Sequence, residues 1–349
     1  MKRLAIGSAY LALSFGFLCS ARGEEPKAEA GSGYKILKEW SVSGTDRWDY
    51  ISVDAANRRV YIARSTHVTV LDADSGETVG DIANTAGVHG AAIAPEQGHG
   101  FTSNGRDNTV TMFDIKTLKT LETIKVGEKP DAIMFDSASG RVFAMNGGSG
   151  DATAIDSSSG KVVGTLKLRG TPEFAVGDGK GKIFVNLEDK SEVVEFDAQK
   201  LEIIARWPVS PGMTPTGLAI DHEHRRLFSG CRAEIKYPET IASPKREPRL
   251  VVLDADSGKV LSSPAIGAGV DATAFDPETG LAFASCGDGT LAIVHEESPG
   301  KFTLLDTVKT FKGAKTMTLD TKTHHVLVPA LKTSGTDKTG TFVVLVIGK

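Results

Sequence analysis

Cysteine is nearly absent from this chain: there are three, and one of them, Cys19, lies in an apolar run near the start. No disulfide framework can therefore hold the fold together. Aromatic residues are sparse at 7%, and tryptophan stands at only three positions. Nor is there a basic excess, with 40 Lys and Arg against 44 Asp and Glu. That balance argues against a nucleic-acid partner, whose phosphates are usually met by a basic surface or stripe. Helix-period apolar stripes are missing, as are usable G-x-S-x-G, Walker and dinucleotide-binding fingerprints. After residue 23 no apolar run reaches the roughly 20 residues that a spanning helix needs.

The beginning of the chain reads as an address. Lys2 and Arg3 precede an apolar run from Leu4 to Cys19, and small residues follow as far as Ala21, Arg22 and Gly23. This pattern predicts a cleaved secretory signal over residues 1–23, hence a periplasmic or secreted protein of bacterial export. The apolar run is too short for a membrane anchor, and the bulky Leu18 disfavours lipidation of Cys19. Residues 24–33 read as a flexible polar linker. Loss of the signal removes Lys2, Arg3 and Arg22, leaving the mature chain more acidic still.

From residue 34 to 349 one pattern recurs. A short apolar segment turns on Asp, Gly or Asn and returns through an aromatic leading a small or apolar stretch: YIAR from Tyr61, FTSN from Phe101, FAMN from Phe143, FVNL from Phe184, FSGC from Phe228 and FASC from Phe283. The seventh is LVPA from Leu327. The spacing, roughly forty to fifty-five residues, marks stacked or radially arranged units. Each unit holds four period-two segments, the third and fourth joined by turns such as DADSGE from Asp72 and DADSGK from Asp254. In DIKTLK from Asp114 and DAQKLE from Asp197 a Leu replaces the Gly, which implies a variant turn with an anchored apolar residue.

These features predict an all-β fold, a seven-bladed β-propeller of four-stranded antiparallel blades. The last unit supplies only three strands, and Tyr34 to Ser43 has the pattern of the missing outer one. The N-terminal strand is thus expected to close the last blade and abolish the free edge. Trp40, Trp48 and Trp207 do not recur once per blade, so the tryptophan docking pattern of quinone-cofactor propellers is not expected.

FTSN with the later NTVTMFD, FAMN with DATAID, YIAR with HVTVLD, and the DSGE and SGK turns resemble the YVTN repeat, or YncE-like, seven-bladed propellers. The resemblance covers about residues 34 to 349. It implies a propeller of a group often exported from bacteria, with no single shared reaction. FSGC, FASC and LVPA depart from the motif by losing its terminal Asn.

Aligned blade by blade, the residues entering the first strands are Asp49, His89, Asp131, Glu173, Thr216, Asp271 and Lys315. Carboxylates converging with one histidine can hold a divalent cation, orient a polar ligand or share a proton. The same residues can also simply receive turn N–H groups, a role that Pro130, Pro172 and Pro215 favour. A second ring, Arg64, Asn104, Asn146, Leu187, Cys231, Cys286 and Ala330, ends the returning strands. Its polar first half suits a ligand with one polar side, or caps the following loops. Cys231 and Cys286 hold matching positions in consecutive units, either bridged or buried as small residues. An insert after Cys231 carries Lys236, Tyr237, Lys245, Arg246 and Arg249 on the same face, placed to cover the mouth or meet an acidic partner.

Two functions follow. The leading expectation is a non-enzymatic recognition or scaffold propeller, without cofactor, that binds a protein or polar small molecule at Asp49, His89, Asp131, Glu173, Asp271, Arg64, Asn104, Asn146, Lys315, Lys236 and Tyr237. The alternative is a hydrolase or lactonase-like enzyme with a divalent cation among Asp49, His89, Asp131, Glu173 and Asp271.

Overall fold

The structure, a computed structural model, describes Met1 and residues 31–44, 47–233, 247–333 and 340–349. Nearly all of the expected signal and linker lie outside these residues, as do Lys236, Tyr237, Lys245 and Arg246. Among the described residues no helix is long and apolar enough to cross a membrane.

Seven four-stranded antiparallel sheets form from consecutive stretches of chain, and in six of them the strands hydrogen-bond in sequence order. The blades span residues 51–82, 88–125, 130–167, 172–208, 215–262 and 270–309, and the seventh runs from 318 to 348. The exception in order is that seventh sheet, whose outer strand is Lys35–Ser41, paired antiparallel with Thr341–Gly348 so that Trp40 faces Val344. The expected closure is therefore present. Each inner strand packs on the inner strands of both neighbours, and Ile51–Asp54 meets Thr318–Asp320 to complete the ring.

A blade has two apolar faces and cannot bury them alone. Accordingly the core is divided among the junctions, in seven apolar clusters that each join residues of adjacent blades. The aromatics that lead the returning strands, Tyr61, Phe101, Phe143, Phe184, Phe228 and Phe283, are fully buried there. Each contributes about 1.5–3 kcal/mol by leaving water. Cys231 and Cys286 are buried, unbridged thiols in separate clusters, each pushed up to about 12 by burial.

The turns between third and fourth strands work as their composition demands. Asp72, Asp114, Asp156, Asp197 and Asp254 each accept N–H groups two or three residues on. Hydroxyls of Ser158 and Ser159, then the Ser159 N–H, hold the Asp156 carboxyl down at about 2. The turn residue itself needs positive φ, which Gly76, Gly160 and Gly258 supply at 77°, 72° and 69°. Leu118 and Leu201 adopt the same conformation at 59° and 56°, and their side chains reach back to Gly80 and Gly164 in the preceding outer strand.

Two of the tryptophans pack on glycines of the next blade. Trp40 lies on Gly76 of the first blade and Trp207 on Gly258 of the fifth, so close that a Cβ on either glycine would fall inside the indole. Docking of an outer-strand indole on the next blade's turn is thus present at two junctions, although it does not repeat around the ring.

Candidate functional site

The entry residues share a local cause. In blades two to six the inner strand begins with a register break, between Val88 and Gly90, Pro130 and Ile133, Pro172 and Ala175, Pro215 and Leu218, and Val270 and Ala272. His89, Asp131, Glu173, Thr216 and Asp271 all stand inside these bulges. A bulge leaves its extra residue unpaired and re-aims the side chain, here toward the channel mouth. The entry backbone is also tied to the preceding blade: Asn186 donates to the Thr216 carbonyl at 2.8 Å, and Ser103 and Ser285 bond the carbonyls of Asp131 and Lys315.

The entry residues form two groups rather than one ring. In the first, Asp49 Oδ2 lies 2.6 Å and Asp131 Oδ1 3.5 Å from His89 Nδ1. Burial lowers the His89 pKa, but the bond to Asp49 and the charges of Asp131 and Asp49 outweigh it and leave it raised. The Asp131 carboxyl is pushed up to about 6, first by burial and then by Asp49, against the opposing pull of His89 and Lys315. In the second group Asp271 is buried between Lys315 Nζ and Arg232, and Arg232 also reaches Glu188 at 3.4 Å.

Beneath the mouth lies a feature that the entry alignment misses. Tyr50, of the first blade, crosses the channel and meets Phe174 of the fourth edge-on, with ring centroids 5.3 Å apart. Its hydroxyl stands 3.5 Å from Glu173, and burial followed by the charges of Asp131, Glu173 and Asp49 raises its pKa well above 10. The position after each entry residue reads Tyr50, Gly90, Ala132, Phe174, Gly217, Ala272 and Thr316. Two aromatics stand among small residues, and the small ones leave room for the rings. The two rings bridge the channel there, and the mouth above them forms a cup.

Other candidates sit elsewhere. Thr216 is buried and bonds the Val270 carbonyl at 2.9 Å, a structural tie between blades. Asn104 and Asn146 are buried within their own sheets, where their amides bond Thr109 and Thr111, and Asp151 and Thr153. The Arg64 guanidinium lies 4.0 Å from the Phe342 ring centroid, at the first and seventh blades' junction. These three side chains serve the blade walls and not the cup, because the last residue of a returning strand points between sheets. The polar links between blades come one residue earlier, at Ser103, Asn186 and Ser285. His224 and His324 occupy turns between first and second strands, where they pair with Asp221 and Asp276 at 2.8 and 3.0 Å.

A cavity of about 540 Å3 opens at the mouth beside the first group, lined by Arg47, Trp48, Asp49, His89, Arg106 and Lys315 among others. Asp49, His89 and Asp131 each present one donor atom, all within 4.8 Å of one another. An imidazole nitrogen with two carboxylate oxygens suits a divalent cation with open coordination positions, if the Nδ1 proton shared with Asp49 is displaced. Glu173 and Asp271 lie outside that trio.

No curated protein matches the chain at the sequence level. Among solved structures, a chain of Kuenenia stuttgartiensis hydrazine synthase superposes with a TM-score of 0.70 at 12% identity, over 93% of this chain and 99% of that one. The WD40 repeats of RRP9 give 0.71 at 9% identity, over 90% and 97%. A chain of the mitotic checkpoint complex gives 0.71 at 12%, over 97% and 99%. Identities this low speak for the propeller fold alone. Sequence speaks more narrowly, since the family described as outer membrane protein assembly factor BamB matches residues 38–223, more than half of the chain. The match spans the first four blades of the ring, and the chain belongs to the BamB-like family of β-propellers.

Proposed function

We propose that the chain is an exported, non-enzymatic recognition propeller that binds a polar ligand or protein segment in the cup at its channel mouth. The observation that carries this reading is the convergence of Asp49, His89 and Asp131 beside Asp271, Lys315 and Arg232, above a channel bridged by Tyr50 and Phe174. The N-terminal signal pattern supports export, and the family's description as an assembly factor agrees with a scaffold role. The resemblance of its repeat motifs to the YVTN type supports a propeller of that kind within the family. Lys236 and Tyr237, in the insert after Cys231, are candidates for contacts at the rim.

Thermal melting against a panel of acidic, basic and neutral polar solutes and short peptides tests the reading. Stabilisation of the wild type that His89→Ala and Lys315→Ala both lose would support it. A folded wild type that no panel member shifts, or variants that shift equally, would sink it.

The close donor set of Asp49, His89 and Asp131 favours one second reading, a metal-dependent hydrolase of lactonase-like chemistry. A cation there would polarise a substrate carbonyl or water. Lys315 would orient an anionic group of the substrate. Elemental analysis of the purified protein, with calorimetry before and after chelation, decides: no stoichiometric metal and no chelation effect removes this reading.

A further inference from the structure

The cavity beside His89 carries two guanidinium groups that neither reading uses. Its rim and wall carry Arg47, Arg106, Lys315 and His89; Asp49 and Asp131 face His89 and Asp271 pairs with Lys315, but no carboxylate meets either guanidinium among the described residues. Asp49 is already engaged by His89 at 2.6 Å and is poorly placed to compensate the guanidinium groups.

Apart from Arg169, which is likewise exposed and without an ion pair, the described arginines outside this cavity are engaged. Seven of those described, Arg58 and Arg225 among them, meet a carboxylate. Arg64 lies on the Phe342 ring and Arg141 bonds the carbonyls of Ala198 and Gln199. Arg47 and Arg106 are exposed and have neither ion pair nor side-chain hydrogen bond among the described residues. Two guanidinium groups left unmatched at one concavity repel each other and raise the local potential, which costs stability unless a ligand uses it. Their rigid forks match the oxygens of carboxylate and phosphate groups.

Backbone contacts hold both residues on one rim, where the Gly87 N–H donates to the Ser65 carbonyl at 2.6 Å. Gly87, at φ 66°, packs so closely on Arg106 that a Cβ would stand 2.8 Å from its backbone nitrogen. The Arg47 carbonyl accepts the Ser65 hydroxyl at 3.2 Å. Trp48 forms one wall of the cavity, its ring 5.2 Å from that of Phe342. A volume of about 540 Å3 accommodates a small molecule, not a folded domain.

We propose that this cavity is a binding site for a small multivalent oxyanion, with Arg47 and Arg106 holding its outer carboxylate or phosphate groups and Lys315 its inner end. The proposal rests on the mouth being a recognition site and names the class of ligand it takes.

Calorimetric titration and thermal melting of the full chain with citrate, inorganic phosphate and spermidine test it, in the wild type and in the Arg106→Ala and Arg169→Ala variants. Arg169 is exposed on the same face in a different pocket and serves as the control. Citrate or phosphate should bind, at least tenfold more weakly (about 1.4 kcal/mol) to Arg106→Ala and unchanged to Arg169→Ala. The tighter of the two anions identifies the source chemistry. No anion binding by the folded wild type, or binding indifferent to Arg106→Ala, overturns the proposal. Binding of spermidine alone, abolished by Asp131→Asn, would also overturn the anion class while leaving recognition at the mouth intact.

Discussion

Arg58, in the first blade, binds Asp320 of the seventh at 2.8 Å, with side chains only 12% and 2% exposed. Arg225 to Asp178 and His324 to Asp276 repeat the arrangement at two other junctions, always from a positive-φ turn residue back to the preceding blade. The Arg58 pair therefore fastens the ring at its inner side, while Lys35–Ser41 fastens it at the outer edge.

Removing one partner of a pair this buried leaves an uncompensated charge. Arg58→Ala is expected to lower unfolding free energy by roughly 3 kcal/mol. A double-mutant cycle with Asp320→Asn, read by urea melts, should return most of that as coupling; additive losses would show that the pair does not fasten the ring.

The outer fastening predicts a larger effect. Deletion of residues 34–43 removes the strand that pairs with Thr341–Gly348, along with Tyr34, Trp40 and Val42 from the core. The thermal midpoint should fall sharply, and a melt matching the wild type would contradict closure by this strand.

Gly76→Ala and Gly258→Ala face two penalties, a positive φ and an indole already filling the space. A loss of about 2 kcal/mol or more is expected for each, with a shift in tryptophan emission as the displaced ring meets water. Gly98→Ala, at φ 69° with open space around it, pays only the backbone cost and should leave emission unchanged.

The pH dependence of the cup has a definite sign. Asp131, pushed up to about 6 by burial and by Asp49, binds a proton more readily in the native state than an unfolded Asp near 3.8. Its effect on stability is neutral below the lower value and turns unfavourable as pH rises through the higher. His89, with a raised pKa, acts in the same direction, because its favourable contribution is lost as pH rises through its folded value. With about 30% of the Asp131 side chain still exposed, solvent screens part of the effect. Asp131→Asn should therefore gain on the wild type by ~1–2 kcal/mol between pH 4 and about 7.5. Urea midpoints at the two pH values check this, and parallel curves would contradict it.

The blades were legible because turn chemistry and period-two alternation are local, and the spare strand at Tyr34 was legible because the last blade lacked one. The entry residues were legible as positions but not as partners. His89 and Asp131 come from adjacent bulges, while Asp49 joins them only because the first and second blades are neighbours. The Asn of FTSN and FAMN looked available to a ligand, yet an alternating pattern alone does not tell whether a strand's last residue faces the channel or the next sheet. Tyr50 and Phe174 could be read as two large residues among small ones, but their contact spans the ring and depends on its diameter. The docking of Trp40 and Trp207 was hidden because it occurs at two junctions, and a search for regular recurrence passes over it.

The junctions that use Gly76, Gly80, Gly164 and Gly258 each match a bulky side chain to a glycine, but not in the same direction. At two of them the earlier blade contributes the indole and the later blade the gap; at the other two the later blade contributes a leucine and the earlier the gap. Units that look like copies are consequently numbered pieces. Exchanging the second and fifth blades would bring the Leu118 turn against Trp207 and leave Gly80 facing Gly258, a collision at one seam and a hole at the other, so the order of the ring is written in side-chain size.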